Sequence, residues 1–313
     1  MKMNEKSEYA IEADQLIKKY KNFTLDIPEF QLPKGFISVL IGENGAGKST
    51  FLQVLAGARL NYKGNVKYFE DQKSINDCDV RDRIGYTAPG NYFMPHWTGN
   101  QIKELAKELY PSFSEDEFDR LCQEMSISGF SDRISRMSDG NRMKLELASV
   151  LARDTDLLIM DEPASPLDPL MRQKLCDLMQ NYIANGNGEK TVFLSTHNIS
   201  DLAAAVDYCY FMADGKIIEK GSAEDLKDKY ILVNGPSSSL SSIRDMLISS
   251  THGENNFSGL ALTSEKEKIL YAYEAENSSE EPSSYIGDNS LAIEAPTLEQ
   301  ISVGLLRKYS HIS

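Results

Sequence analysis

The sequence predicts an α/β fold with an inserted helical block and a small α+β region toward its C-terminal end. Three observations carry that expectation. A short apolar run, Phe36-Ile37-Ser38-Val39-Leu40-Ile41, leads into a glycine-rich loop and then a helical stretch. Two further apolar runs, Leu157–Met160 and Val192–Thr196, meet polar residues at their ends, as buried parallel strands do at their C-terminal tips. From about Ile231 the composition changes to serine clusters between short strand-like pieces.

The loop after the first run, Gly42 to Thr50, reads GENGAGKST and fits G-x-x-x-x-G-K-[ST], with Gly42, Gly47, Lys48 and Ser49 at the fixed positions. Glycines let the chain bend tightly, so that successive N–H groups of Glu43, Asn44, Gly45, Ala46 and Gly47 turn into one concavity and hold phosphate oxygens. The helix beginning near Lys48 and continuing through Phe51–Ala56 adds the positive end of its dipole. Lys48 is expected on the β- and γ-phosphates and the Ser49 hydroxyl on Mg²⁺, with Thr50 beside it. The bland alternative is a flexible surface turn; the flanking strand and helix speak against it. The stretch reads as a nucleotide site.

Composition bounds the rest. At 313 residues the chain has room for about two domains. A net charge of −14 argues against nucleic acid as partner and against a polybasic lipid-binding patch. Cys78, Cys122, Cys176 and Cys209 show neither a C-x-x-C pair nor ligand-like spacing to histidine, so they read as idle thiols in a reducing compartment. No signal peptide opens the chain, and no run approaches the ~18 apolar residues of a membrane span. A role at a membrane would need spans from another chain.

Taken in order, residues 1 to about 34 are charged and then mixed, with Phe23–Ile27 expected as an edge strand. Tyr20 or Phe23 could stack on a nucleotide base, a contact worth ~1–3 kcal/mol. Either is equally readable as a core aromatic, and Tyr20 is the preferred stacker. Gly64–Phe69 and Ile84–Thr87 read as short strands around a charged turn. A distinct insertion runs from about residue 91 to 137, with helices over Gly99–Tyr110 and Glu115–Met125 punctuated by Pro95, Pro111 and Gly129. Its aromatics Tyr92, Phe93 and Trp97 serve either partner contacts or a local core. Next, Ser138 and Asp139 can cap a helix carrying Met143, Leu147, Val150 and Leu151 at helical spacing, and Gly140 keeps its first turn bare. Of the two acids after Leu157–Met160, Asp161 can hold Mg²⁺ through water and Glu162 can polarise an attacking water. His197, ending the third run, is a candidate γ-phosphate sensor.

The ordered set GENGAGKST, MSDGN, LLIMDEP, SPLD and LSTH resembles the ATP-binding subunit of an ABC transporter over roughly residues 10–230. The resemblance implies a P-loop NTPase core with a mixed sheet, an edge antiparallel subdomain and an inserted α-helical subdomain. It implies that Asp161 is the metal-holding carboxylate, Glu162 the general base and His197 the switch histidine. Ser138, Gly140 and Asn141 then belong to the signature, and Asp168 contacts the other subunit of a dimer that clamps two ATP molecules head to tail. Mg²⁺ and ATP are the implied cofactors. A second copy and a separate transmembrane permease are the implied partners, at the cytoplasmic face of the membrane. Two departures stand out: Asp139 and Asn141 replace the usual Gly and Gln of the signature, and Gly90 or Asn91 occupies the neighbourhood of the usual coupling glutamine. LYPSF near Tyr110 and STHNISDL look most similar to ATPases paired with short exporter-type permeases. Asp201 and Asp207 are expected on a helix after the switch strand, as solvated caps and faces.

On this reading residues 1–230 form the ATP-binding domain and residues 231–313 an accessory α+β domain. The latter carries 11 acidic against 5 basic residues, strand-like runs Gly259–Thr263 and Ile269–Tyr273, and a closing helix over Thr297–Lys308. A soluble ABC-type assembly scaffold is the rival function, and a nucleotide-gated interaction module without turnover is a third.

Overall fold

The computed structural model describes residues 8–70, 73–90, 93–277 and 290–309. Asn91, Tyr92 and the serine pairs at 278–279 and 283–284 lie outside them. Two compact units, Met1–Ile218 and Glu219–Ser313, make up the chain.

The first unit opens with strands β1 (Tyr9–Lys19) and β2 (Thr24–Pro33), an antiparallel pair whose turn closes with the Tyr20 N–H donating to the Phe23 carbonyl at 2.8 Å. Strand β3 (Ile37–Ile41) is buried along its whole length and delivers helix α1 (Lys48–Leu55). Strand β4 (Lys63–Tyr68) pairs with β1, giving a three-stranded sheet in the order β2-β1-β4. The expected edge strand is thus an edge, running on to Pro33. Helix α2 (Cys78–Asp82) and strand β5 (Ile84–Thr87) lead to the insertion, where α3 (Gly99–Leu109) starts in a capping box between Thr98 and Gln101 and α4 (Glu115–Glu124) is capped by Ser114. Then follow α5 (Asp139–Leu151), β6 (Leu157–Met160), α6 (Pro169–Ala184), β7 (Thr191–Thr196), β8 (Tyr208–Ala213) and β9 (Lys216–Ser222).

These strands build a six-stranded sheet in the order β5-β6-β7-β3-β8-β9. Its first five strands are mutually parallel, and β9 returns through the two-residue turn Asp214-Gly215, a link that only antiparallel strands allow. Register decides the function of the edge. Ile41 pairs with Thr196 and Met160 with Leu194, so the residues following β3, β6 and β7 emerge side by side. Four rings fasten this arrangement: Phe30 lies 4.9 Å from Phe51, 5.5 Å from Phe193 and 5.0 Å from Tyr210, centroid to centroid. They join β2, α1, β7 and β8, and each buried ring stabilises by about 2–3 kcal/mol.

Two expectations change here. Residues 201–205 are a run of turns, with Leu202 donating to Ile199 and Ala205 to Leu202, so Asp201 stands on no helix. The Asn198 side chain takes both the N–H and the hydroxyl of Ser200, offering the backbone a turn in place of a helical start. Asp207 accepts the Ile37 N–H at 2.8 Å and so terminates the open end of β3 rather than only facing solvent.

The second unit holds α7 (Ala223–Lys229), β10 (Tyr230–Pro236), α8 (Leu240–Ile243), β11 (Leu247–His252), β12 (Asn256–Leu262), α9 (Lys266–Asn277), β13 (Ala292–Glu294) and α10 (Leu298–Tyr309). Its antiparallel sheet runs β11-β12-β10-β13 over a core of Ile231, Val233, Ile243, Phe257, Ala261 and Ile269. The run Ile269–Tyr273, expected as strand-like, lies inside α9. Lysine, glutamate and alanine around it favour helix, and a helix buries Ile269 while leaving Tyr271 76% exposed. Helix α10 starts as expected, with Thr297 and Gln300 capping each other.

Candidate nucleotide-binding site

Gly42 leaves β3 between two neighbours that would stop any other residue. Its N–H donates to Thr196 at 3.3 Å, and a Cβ there would come within 2.4 Å of the Met212 carbonyl oxygen. Gly47, at φ +108°, is the N-cap of α1; no side chain caps the helix and its first turn carries no acid. The exposed stretch Glu43, Asn44 and Gly45 and the exposed Ser49 therefore surround a bare helix start, with Ala46 buried and Thr50 half-buried. Uncapped N–H groups beside a cation are the usual make-up of an anion cradle.

Lys48 is 5% exposed, and its ammonium donates to the Gly42 carbonyl at 2.7 Å and the Glu43 carbonyl at 3.2 Å. It also stands 3.2 Å from one Glu162 oxygen, while the other Glu162 oxygen lies 2.8 Å from His197 Nδ1. A lysine, a carboxylate and an imidazole thus form a row across three strand tips. Ser195 locks the row from behind: its hydroxyl donates to Asp161 Oδ1 at 2.5 Å and accepts the Glu162 N–H at 3.0 Å. Glu162 is held at φ +47°, a conformation that costs a non-glycine residue on the order of 1 kcal/mol. Among the described residues no cluster of three histidine, cysteine or acidic side chains could hold a metal by itself. A cation bound at Ser49 and the buried Asp161 would take its remaining ligands from phosphate and water, as Mg²⁺ does.

The other anticipated residues sit at two helix starts. Ser138 caps α5 by accepting the Asn141 N–H at 3.2 Å, and the Asn141 side chain donates to the Ser128 hydroxyl at 2.7 Å. A Cβ on Gly140 would meet the Pro166 carbonyl oxygen at 2.9 Å, so its bareness lets α5 lie against the loop after Glu162. Asp168 caps α6 through the Met171 N–H at 3.0 Å. Asp139, anticipated as a second cap, pairs instead with Arg142 one turn on, because Ser138 already fills the cap position. No hydrogen bond described joins Ser138, Gly140, Asn141 or Asp168 to Lys48 or Glu162.

At the loop's flank, the Phe23 ring rests on Gly47, where a Cβ would come within 2.6 Å of it. Tyr20 lies 6.2 Å from Phe23 and is 40% exposed. Ser195 and Arg172 are the site residues that reading the sequence missed. Arg172 donates to the Ala164 and Leu167 carbonyls and pairs with Asp201 at 2.6 Å, fixing the loop between Glu162 and Asp168. A serine two positions before His197, at the polar end of β7, was the signal for the first; the second had none.

Residues 25–165 match the family described as ABC transporter. The "Fluoroquinolones export ATP-binding protein" of Mycobacterium tuberculosis is 30% identical over 201 residues, 64% of this chain and 65% of that protein. The "Fe(3+) ions import ATP-binding protein" of Fusobacterium nucleatum is 32% identical over 211 residues, 66% of this chain and 54% of that one. The chain spans less than two thirds of the length of both, and 40% of a relative from Bacillus anthracis. Among solved structures, an ATP-binding subunit of an ABC transporter superposes with a TM-score of 0.61 at 24% identity, covering 70% of this chain and 92% of that one. A dimeric ATP-binding cassette in a post-hydrolysis state with ADP and Pi superposes at 0.57 and 18% identity, covering 68% and 98%. At these identities the structures speak for the fold.

Proposed function

Because this chain carries an ABC transporter ATP-binding domain, we propose that it is the ATP-hydrolysing subunit of a transporter, closing as a dimer around Mg-ATP to drive a separate membrane permease. The observation that carries the reading is the row Lys48, Glu162 and His197 at the mouth of an uncapped helix. The N–H groups from Gly42 to Thr50 hold the phosphates, and Lys48 exchanges Glu162 for the β- and γ-phosphate oxygens. Glu162 is then left to His197, which orients it to take a proton from the attacking water. His197 also reads the γ-phosphate. Mg²⁺, held by Ser49 and Asp161, would supply neutralising charge on the phosphate oxygens. Tyr20 stacks on the adenine. No helix among the described residues is long and apolar enough to cross a membrane. The place assigned to the chain is therefore peripheral, at the cytoplasmic face through the permease.

A second copy completes each site on this reading. Ser138, Gly140 and Asn141 at the start of α5 face the partner's nucleotide, with Asp168 at the contact between copies. The dimeric cassette of the same fold supports it. Residues 1–230 are assigned to ATP binding and residues 231–313 to an accessory domain. Export is the proposed direction, from the LYPSF and STHNISDL stretches and the fluoroquinolone-export relative; the iron-import relative speaks for the opposite one.

Glu162→Gln tests the proposal. It keeps the shape of the side chain and removes the base, so ATP binding should persist while hydrolysis falls by about 10²–10⁴-fold. The variant should elute as a dimer with ATP present. Wild-type turnover in this variant would remove Glu162 from the base's role.

A further inference from the structure

Two buried serines on neighbouring central strands are used differently. Ser38 on β3 is fully buried, and its hydroxyl has no hydrogen-bond partner among the described residues. Ser195 on β7 is equally buried, and its hydroxyl bonds to both acids that follow β6. The direction of those two bonds is forced. A backbone N–H can only donate, so the Glu162 N–H gives its proton to Ser195 Oγ at 3.0 Å. The single proton of the hydroxyl is then left for Asp161 Oδ1, at 2.5 Å. The Asp161 N–H donates in turn to the Thr87 carbonyl at 2.8 Å, as a sheet residue does. One residue later the bonding passes from main chain to side chain, where the backbone of Glu162 turns to φ +47°.

One hydroxyl therefore sets two things. It limits the rotation of the Asp161 carboxylate, engaging one oxygen and leaving the other for a cation. It also anchors the backbone from which the Glu162 side chain sets out toward Lys48 and His197. Strand β7 does not need this hydroxyl for its place in the sheet, since its backbone pairs with β3 on one side and β6 on the other. We propose that Ser195 is a positioning residue for ATP hydrolysis, tying the metal-holding acid to the base so that both keep their places relative to the phosphates. It acts through Asp161 and Glu162 and touches no reacting atom. The inference rests on the ATPase reading above and adds a residue to it. Removing the group that orients a metal-holding side chain typically costs about 10–100-fold in metal affinity or activity. A base set slightly out of place loses rate without losing substrate. Ser38 supplies the comparison, because deleting an unpartnered buried hydroxyl leaves no other group unmet.

The test compares Ser195→Ala and Ser38→Ala with the wild type on the full chain, with turnover counted per folded molecule. Ser195→Ala should lower kcat by about 10–100-fold while the KM for ATP stays within about threefold. Ser38→Ala should leave both within about twofold. A second readout involves no turnover: binding of the fluorescent nucleotide mant-ATP, first in EDTA and then as Mg²⁺ is added. In EDTA, Ser195→Ala should bind it as the wild type does, because Lys48 and its loop are untouched, and this also shows the site folded. With Mg²⁺ the variant should need about tenfold or more of the cation for the same response. A kcat or a Mg²⁺ requirement left at the wild-type value overturns the proposal. So does a loss shared by Ser38→Ala, which would mark a general response of the sheet to a smaller side chain. Wild-type turnover in Glu162→Gln would overturn the reading beneath this one and leave the mant-ATP result unchanged, so the two failures are distinct.

Discussion

The strand tips of the first unit and the sheet of the second unit are built from similar materials to opposite ends. At the tips, Lys48, Asp161, Glu162, Ser195 and His197 are polar groups drawn together by parallel register and bonded to one another. In the second unit the converging residues are Val233, Ile243, Phe257, Ala261 and Ile269, and what they share is only apolar area. The contrast teaches where chemistry is stored. A hydrophobic cluster tolerates many solutions of equal volume, whereas a row of charges at 3 Å spacing works with few residue types.

The contrast breaks most sharply at Lys48. Lys48→Ala should cost roughly a hundredfold or more in ATP hydrolysis, as the loss of one preorganised cation at developing charge does. Near-wild-type steady-state hydrolysis would take the phosphate site away from this loop. The reverse variant is Ile269→Ala, which empties part of the second unit's core. Calorimetry should find it less stable by about 2–4 kcal/mol, with hydrolysis per folded molecule within about twofold of wild type. A larger loss of turnover would show the second unit acting on the first.

Glu146 sharpens the comparison, being a buried acid in the first unit that belongs to no bonded row. In the fold its carboxyl is held protonated up to about 8, whereas an unfolded glutamate ionises near ~4.3. Between those values the folded chain binds the extra proton, so stability falls as pH rises from about 5 to 8 and levels off above. Glu146→Gln is neutral throughout and lacks that slope. Its melting advantage should be absent near pH 5 and grow toward pH 8.5, to on the order of 4 kcal/mol at most at ~1.4 kcal/mol per pH unit. An advantage that does not change with pH would mean the acid is already paired in solution.

What could be read from the residues in advance was local in kind. The strand before Gly42, the helices of the insertion and the cap at Ser138 are decided by neighbours a few positions away. Ile269–Tyr273 misled because its branched and aromatic residues speak for a strand while the surrounding lysines, glutamates and alanines speak for a helix, and burial of Ile269 settled it. Asp201 misled because a side chain at Asn198 captured the backbone before a helix could start. Ser195, Arg172 and Glu146 gain their importance from groups that register brings alongside: Asp161 at 34 residues' separation, Asp201 at 29, and the Ala88 backbone on another strand's end.

By itself, then, the order of residues determined a glycine-rich loop between a strand and a helix, two acids and a histidine at strand ends, and an acidic chain with a changed composition toward its end. Local sterics and hydrogen bonding are enough for those. Only the tertiary structure decided that the lysine, the glutamate and the histidine stand in one row, and that one buried acid keeps an oxygen with no hydrogen-bond partner among the described residues. Such facts depend on which strands are neighbours and in what register, and distance along a chain carries no information about either.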